Sequence, residues 1–187
     1  MRGNKKNYAY VAIVAALVPA AANAGTVGGR IGLRLGYETP TVSGDGDVYK
    51  IGSAVSYGGE AGVDVHLGKV VIGPFAEYDF SNVSTCDSGY CLNVKGALNA
   101  GGRIGFLVGR NGQVYVKANY SRMTLTATSP TDSASDSEGG VGGAIGYEHG
   151  FGKNLYGSLE ANYADYGDFG GINLQRRQVV AGLGFRF

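Results

Sequence analysis

The sequence predicts an all-β fold, an eight-stranded antiparallel transmembrane β-barrel of up-and-down topology, preceded by a cleaved signal peptide. Three observations predict it. Apolar and polar residues alternate with a period of two almost throughout residues 25–187, as in strands with two unlike faces. Tight turns and long polar loops take turns as connections. Tyrosine and phenylalanine gather at the two ends of the apolar phase. Composition excludes other classes. Glycine fills 34 of 187 positions, proline only 4, and no apolar run after residue 24 approaches the roughly 20 residues of a membrane helix. A net charge of +1 offers nothing to nucleic acid, and two cysteines frame neither a disulfide scaffold nor a four-ligand zinc site.

Residues 1–24 read as the signal peptide. Arg2, Lys5 and Lys6 give a positive start, Tyr8 to Val18 an apolar stretch, Pro19 a break, and Ala22-Asn23-Ala24 the small-residue cleavage pattern. The barrel domain is then residues 25–187, beginning at Gly25.

In the first strand Val27, Gly29, Ile31, Leu33, Leu35 and Tyr37 oppose Arg30, Arg34 and Glu38, so every charge lies on one face. The second, from about Val55 to Leu67, sets Val55, Tyr57, Ala61, Val63, Val65 and Leu67 against Ser56, Glu60, Asp64 and His66. Gly68-Lys69 makes a two-residue hairpin turn. In the third, Val70, Ile72, Pro74, Ala76, Tyr78 and Phe80 oppose Val71, Phe75, Glu77 and Asp79. The fourth carries Leu98, Ile104, Phe106 and Val108 opposite Lys95, Asn99 and Arg103. After Arg110-Asn111-Gly112, the fifth sets Val114, Val116, Ala118 and Tyr120 against Lys117, Asn119 and Ser121. The sixth sets Val141, Ile145 and Tyr147 against Ala144, Gly146 and Glu148. In the seventh Leu155, Leu159, Ala161 and Tyr163 oppose Ser158, Glu160 and Asn162. The eighth sets Val179, Ala181, Leu183, Phe185 and Phe187 against Gln178, Gly182, Gly184 and Arg186.

Alternation does not say which face is inside; three features do. Short turns at Gly68-Lys69, Arg110-Asn111-Gly112 and Gly152-Lys153-Asn154 alternate with long polar loops at Thr39 to Asp47, Ser81 to Cys91, Thr126 to Glu138 and Tyr166 to Leu174, the asymmetry of a membrane barrel. Tyr37, Tyr78, Tyr120 and Tyr163 end the apolar phase at the long loops and Phe185 and Phe187 end it at the other rim, making two aromatic girdles. The polar phase is crowded with Gly, Ala and Ser, which suits a narrow interior. The apolar phase therefore faces lipid.

These eight strands, with the terminal Gly182-Leu183-Gly184-Phe185-Arg186-Phe187, resemble the small eight-stranded outer-membrane β-barrel family: OmpA transmembrane domains, OmpX/Ail-type proteins and opacity-like "porin family" proteins. The resemblance covers residues 25–187. It implies residence in the bacterial outer membrane, contact with its lipid and lipopolysaccharide, and recognition of the C-terminal strand ending in Phe187 by the outer-membrane assembly machinery. Some barrels of this kind are lipid A deacylases, which need a His and a Ser two residues apart on the lipid-facing side. His149 is followed by Gly150 and Phe151, and His66 by Leu67 and Gly68, so no catalytic residue, and no cofactor, is expected.

The inward charges Arg30, Arg34, Glu38, Glu60, Asp64, Glu77, Asp79, Lys95, Arg103, Lys117, Glu148, Glu160 and Arg186 are expected to pair as a salt-bridged plug, because eight strands enclose only enough room for side chains. Cys86 and Cys91, with four residues between them in the second long loop, are expected to form a local disulfide in an oxidising compartment. Asp132, Asp136 and Glu138 are read as solvated loop residues, with no metal. Arg122, Arg176 and Arg177 stand at strand tops, where lipopolysaccharide phosphates lie within reach. The expected function is a non-enzymatic structural and surface-interaction role: membrane integrity, and adhesion or lipopolysaccharide contact through the outer loops to a host or cell surface. The alternative is a narrow channel for ions or very small solutes.

Overall fold

The computed structural model describes residues 26–44, 47–87, 89–169 and 172–187; the expected signal peptide lies outside the described residues. Ten strands follow one another: β1 Val27–Gly44, β2 Asp47–Lys50, β3 Ala54–Leu67, β4 Val70–Ser81, β5 Ser84–Asp87, β6 Tyr90–Val108, β7 Gly112–Thr128, β8 Ser133–Gly150, β9 Leu155–Phe169 and β10 Ile172–Arg186. The eight long ones pair antiparallel in the order β1-β3-β4-β6-β7-β8-β9-β10, and β10 returns to β1 from Arg30↔Arg186 to Ser43↔Asn173. Closure leaves no long strand with an unpaired edge, the condition for a sheet to cross lipid.

The apolar phase faces out. Leu33 is 73% exposed, Val141 69% and Ile145 64%, and Ile31, Leu35, Val116, Leu159 and Leu183 share their face. In water such a band would drive aggregation; in a bilayer it meets its own solvent. Where the tight turns reverse the chain, Gly68 and Gly109 hold φ of 67° and 65°, a region a Cβ disfavours.

The long connections differ from expectation. Thr39–Asp47, Ser81–Cys91, Thr126–Glu138 and Tyr166–Leu174, read from sequence as loops, are largely strand. A bilayer crossing needs about 9–11 residues, yet β1 has 18, β6 19 and β8 18. The surplus forms hairpins that rise past the girdle, joined by the two short strands β2 and β5. Here neither face meets lipid, so apolar alternation disappears while backbone pairing continues. Hydroxyl pairs support the ladder instead: Thr124 with Ser137 at 3.0 Å and Thr126 with Ser135 at 2.8 Å.

Candidate functional site

The lumen is filled by charge. At its middle, Lys117 on β7 reaches Glu77 at 2.9 Å, Glu160 at 2.7 Å and also Glu60. Arg34 on β1 enters from the opposite wall, 3.0 Å from each of Glu77, Asp79 and Glu160. These groups sit on inward positions of five strands, so the network braces the barrel across its diameter. Neutral donors complete it: Tyr115 Oη donates to Glu160 at 3.0 Å, and Asn99 Nδ2 to Glu77 at 3.1 Å. Toward the tight turns, Arg30 pairs with Glu60 and with Asp64 at 3.3 Å, while Arg103, 2.9 Å from Glu148, shares that carboxylate with Arg186. The guanidinium of Arg103 lies 4.0 Å from the centroid of the Tyr115 ring. Toward the long hairpins, Arg176 pairs with Glu38, and Gln178 Nε2 donates to Ser56 Oγ at 2.7 Å. Taking each charge from water costs several kcal/mol, and the opposite charge beside each of them offsets that cost.

Above this network the inner face turns apolar. Val83, Val94, Ala97 and Met123 on one side meet Ala164, Tyr166 and Leu174 on the other, with Val42, Ile51, Ala54 and Leu125 packed around them. Met123 has no exposed surface. The hydroxyls of Ser121 and Tyr166, 2.8 Å apart, mark the boundary between the two layers. Within the charged layer, one cavity of about 10 Å³ is lined by Asn99, Asn119, Asn162 and Gln178 among others, and a second of the same size by Arg34, Tyr115 and Tyr156 among others. Each has room for about one water. Small inward residues let the large ones fit: the Tyr115 ring lies across Gly146, whose Cβ, if present, would stand 2.4 Å from it.

Most of the expected inward charges meet in this lumen, but Lys95 does not. A β-bulge shifts the register between Val94 and Gly96, so Lys95 is the extra residue; Val94 and Ala97 turn inward and Lys95 is exposed. A second correction concerns Arg176. Expected at the rim, it is 5% exposed and bound to Glu38 inside. Its position two residues before the inward Gln178 carried that signal. Arg122 and Arg177 are exposed on the outer face as expected. Sequence reasoning passed over Gln113, Tyr115 and Tyr156, which are buried in the lumen on the same phase as the charges.

Tyr37, Tyr78, Tyr120 and Tyr163 are exposed near the long-hairpin end, and Phe185 and Phe187 at the other. The girdles hold more than these. Tyr57 stacks on Phe80 with ring centroids 5.4 Å apart, and Tyr78 meets Phe80 edge-on at 4.8 Å. At the tight-turn rim His149 shares a hydrogen bond with Tyr147 at 3.3 Å and packs edge-on to Phe151 at 5.3 Å. His149 is thus part of an aromatic belt. His66, on β3, is half-buried close to the Gly68-Lys69 turn.

Cys86 and Cys91 are direct cross-strand partners on β5 and β6 and form a disulfide. It closes a loop with a sequence separation of 5, which on chain entropy alone amounts to about 2 kcal/mol. Beside it Tyr90 is 67% exposed. The staple sits beyond the bilayer span, so Cys86→Ser is expected to speed amide exchange at Leu92 and Val94 while leaving the heat-dependent gel shift of the barrel unchanged. Asp136 and Glu138, expected in a loop, lie in β8, and Asp132 and Asp136 accept from the backbone amides of Ser133 and Ser137. Among the described residues no three of His, Cys, Asp and Glu come together as metal ligands.

The family model described as outer membrane protein beta-barrel domain matches residues 9–187. Among solved structures, Ail, the attachment invasion locus protein of Yersinia pestis, in complex with the heparin analogue sucrose octasulfate, aligns with a TM-score of 0.57 at 16% identity, covering 85% of this chain and 99% of Ail. Neisserial surface protein A aligns with a TM-score of 0.57 at 13% identity over 84% and 97% of the two chains. The N-terminal β-barrel domain of Pseudomonas aeruginosa OprF gives 0.52 at 15% identity over 82% and 97%. At such identities the likeness is one of fold. No curated protein matches the chain.

Proposed function

The chain belongs to the outer membrane protein β-barrel family and resides in the bacterial outer membrane, and on that footing we propose that it is a closed, non-enzymatic scaffold acting through its outer surface. The observation that carries this reading is the interior: interlocked ion pairs under an apolar lid, with cavities that each have room for about one water. An ion crossing it would have to leave its hydration shell at Met123 and then displace paired charges below. The narrow-channel alternative has no comparable observation in its favour.

Two outer features fit surface interaction. The stapled β5–β6 hairpin offers Tyr90 on a preorganised tip, the kind of rigid aromatic contact that binding surfaces favour. Just beyond the tyrosine girdle, Arg122 follows Tyr120 on β7, Arg177 pairs across from Tyr163, and the bulge turns Lys95 to the same outer side. At that level lipopolysaccharide presents its phosphates, so these three cations are its proposed contacts, and Ail's complex with a polysulfated sugar is consistent with an anionic outer ligand. The terminal strand ending in Phe187 is the proposed handle for the assembly machinery. Replacing Lys95, Arg122 and Arg177 together by Gln is expected to weaken lipopolysaccharide binding to the refolded protein by roughly tenfold or more. Unchanged binding would remove these residues from the role.

A further inference from the structure

The lipid-facing wall is not even. Where β1, β10 and β9 run side by side, Ile31, Leu33, Leu155, Leu183 and Phe185 wall a groove of about 350 Å³. Ile31, Phe185 and Leu155 are cross-strand partners in one row, and Leu33 and Leu183 pair in the next row of the same face. The groove therefore starts at the phenylalanine girdle and climbs into the half of the bilayer beside the tight turns. Its volume falls within the roughly 300–1,000 Å³ of pockets that hold small molecules, and the five side chains that wall it are apolar.

The tight turns carry charge of a single sign. Lys69, Arg110 and Lys153 are exposed, one in each turn, and residues 67–70, 108–112 and 150–154 contain no Asp or Glu. Short turns of an outer-membrane barrel face the periplasm, so this cationic rim meets the headgroups of the periplasmic leaflet, which is built of phospholipid. Lys153 is the cation beside the groove, two residues before Leu155. Its turn is pinned to β10: Arg186 N–H donates to the Asn154 carbonyl and Asn154 Nδ2 to the Arg186 carbonyl, each at 2.7 Å. Lys69 and Arg110 belong to the β3–β4 and β6–β7 turns, whose strands contribute nothing to the groove.

We propose that the groove and Lys153 form a seat for one anionic phospholipid of the periplasmic leaflet, an acyl chain in the groove and the phosphate against the Lys153 ammonium. Lipid tails are as apolar as leucine, so no hydrophobic gain favours one chain over another; what holds this one is dispersion contact on several sides at once. The headgroup supplies the selection. The lysine stem carries its ammonium to headgroup level, where a phosphatidylglycerol-type lipid keeps its negative charge and a zwitterionic lipid offsets it with its own cation. A second copy of the chain fits the same groove less well, because packing through this face would bring two Lys153 rims together.

The test uses the full barrel, refolded in detergent with phosphatidylglycerol and phosphatidylcholine in equal amounts, and counts retained lipid by native mass spectrometry. The wild type is expected to keep one phosphatidylglycerol in several-fold preference to phosphatidylcholine. Lys153→Gln is expected to weaken phosphatidylglycerol retention by about fivefold and leave phosphatidylcholine unchanged. Leu183→Trp, which fills the groove from a lipid-facing position, is expected to weaken retention of both lipids, while Lys69→Gln and Arg110→Gln change neither. If Leu183→Trp does not give the folded gel shift, Ile31→Trp takes its place with the same expectation. No preference in the folded wild type, an equal loss in Lys69→Gln, competition by free glycerol phosphate as strong as by the intact lipid, or a lipid-free dimer would each overturn the seat.

Discussion

Lys117→Ala is expected to lower the stability of the barrel by roughly 3–5 kcal/mol. The ammonium group is one of the two cations, with Arg34, that Glu60, Glu77 and Glu160 share. Without it Arg34 alone, 3.0 Å from Glu77 and Glu160 and 3.7 Å from Glu60, would have to balance all three together with Asp79. Buried carboxylates left in that state are either protonated or hydrated, and both routes loosen the wall. The effect is separable from lost packing of the Lys117 stem and from the contact of its ammonium group with the Phe75 ring, 4.6 Å from the centroid. Adding Glu77→Gln to Lys117→Met removes one charge of each sign while keeping side-chain volume, and is expected to recover more than half of the loss. Urea titration in lipid vesicles, read by the gel shift between folded and heat-unfolded protein, measures both. A loss below about 1 kcal/mol would show that the network is hydrated enough to behave like surface ion pairs.

Met123→Ala is expected to act on a different part of the molecule. Met123 is the fully buried centre of the apolar lid, and truncation of such a residue costs about 2–5 kcal/mol. The lid joins the β6–β7 hairpin side to the β9–β10 side above the charged layer, so the loss falls on the hairpin extensions and spares the lipid-embedded barrel. Local opening is thus expected to rise by about 30-fold or more. Proteinase K added to folded protein in vesicles measures this as faster nicking of the outer hairpins, with the protected barrel fragment surviving. Equal nicking rates in wild type and variant would mean that the lid does not hold the hairpins together.

Period-two alternation was readable wherever one strand face meets lipid and the other a charged lumen, and there the phases of Ile31, Leu33, Arg34, Glu77, Lys117 and Glu160 follow from counting alone. Counting fails where the contrast vanishes. In Ser133–Glu138 and Asp47–Lys50 both faces lie outside the bilayer, and a ladder of Ser, Thr and charged residues reads as a loop although its backbone is paired. It fails again at Lys95, because a single bulged residue reverses every phase beyond it. Val94 and Ala97, apolar and three apart across Lys95-Gly96, are the trace that the bulge leaves in the sequence. Arg176 was missed for another reason: a basic residue next to a loop suggests the rim, yet its parity with Gln178 already directed it inward. The apolar lid was not legible at all. Its members come from separate hairpins whose association depends on how far β1, β6, β7 and β9 run past the girdle.

The central claim is that the lumen is sealed. Recording current across a planar bilayer containing refolded, gel-shift-verified protein tests it most directly. The wild type is expected to leave the bilayer silent at voltages the membrane itself withstands. Stable, reproducible conductance steps from the folded wild type would contradict a sealed lumen and move the channel reading ahead of the scaffold.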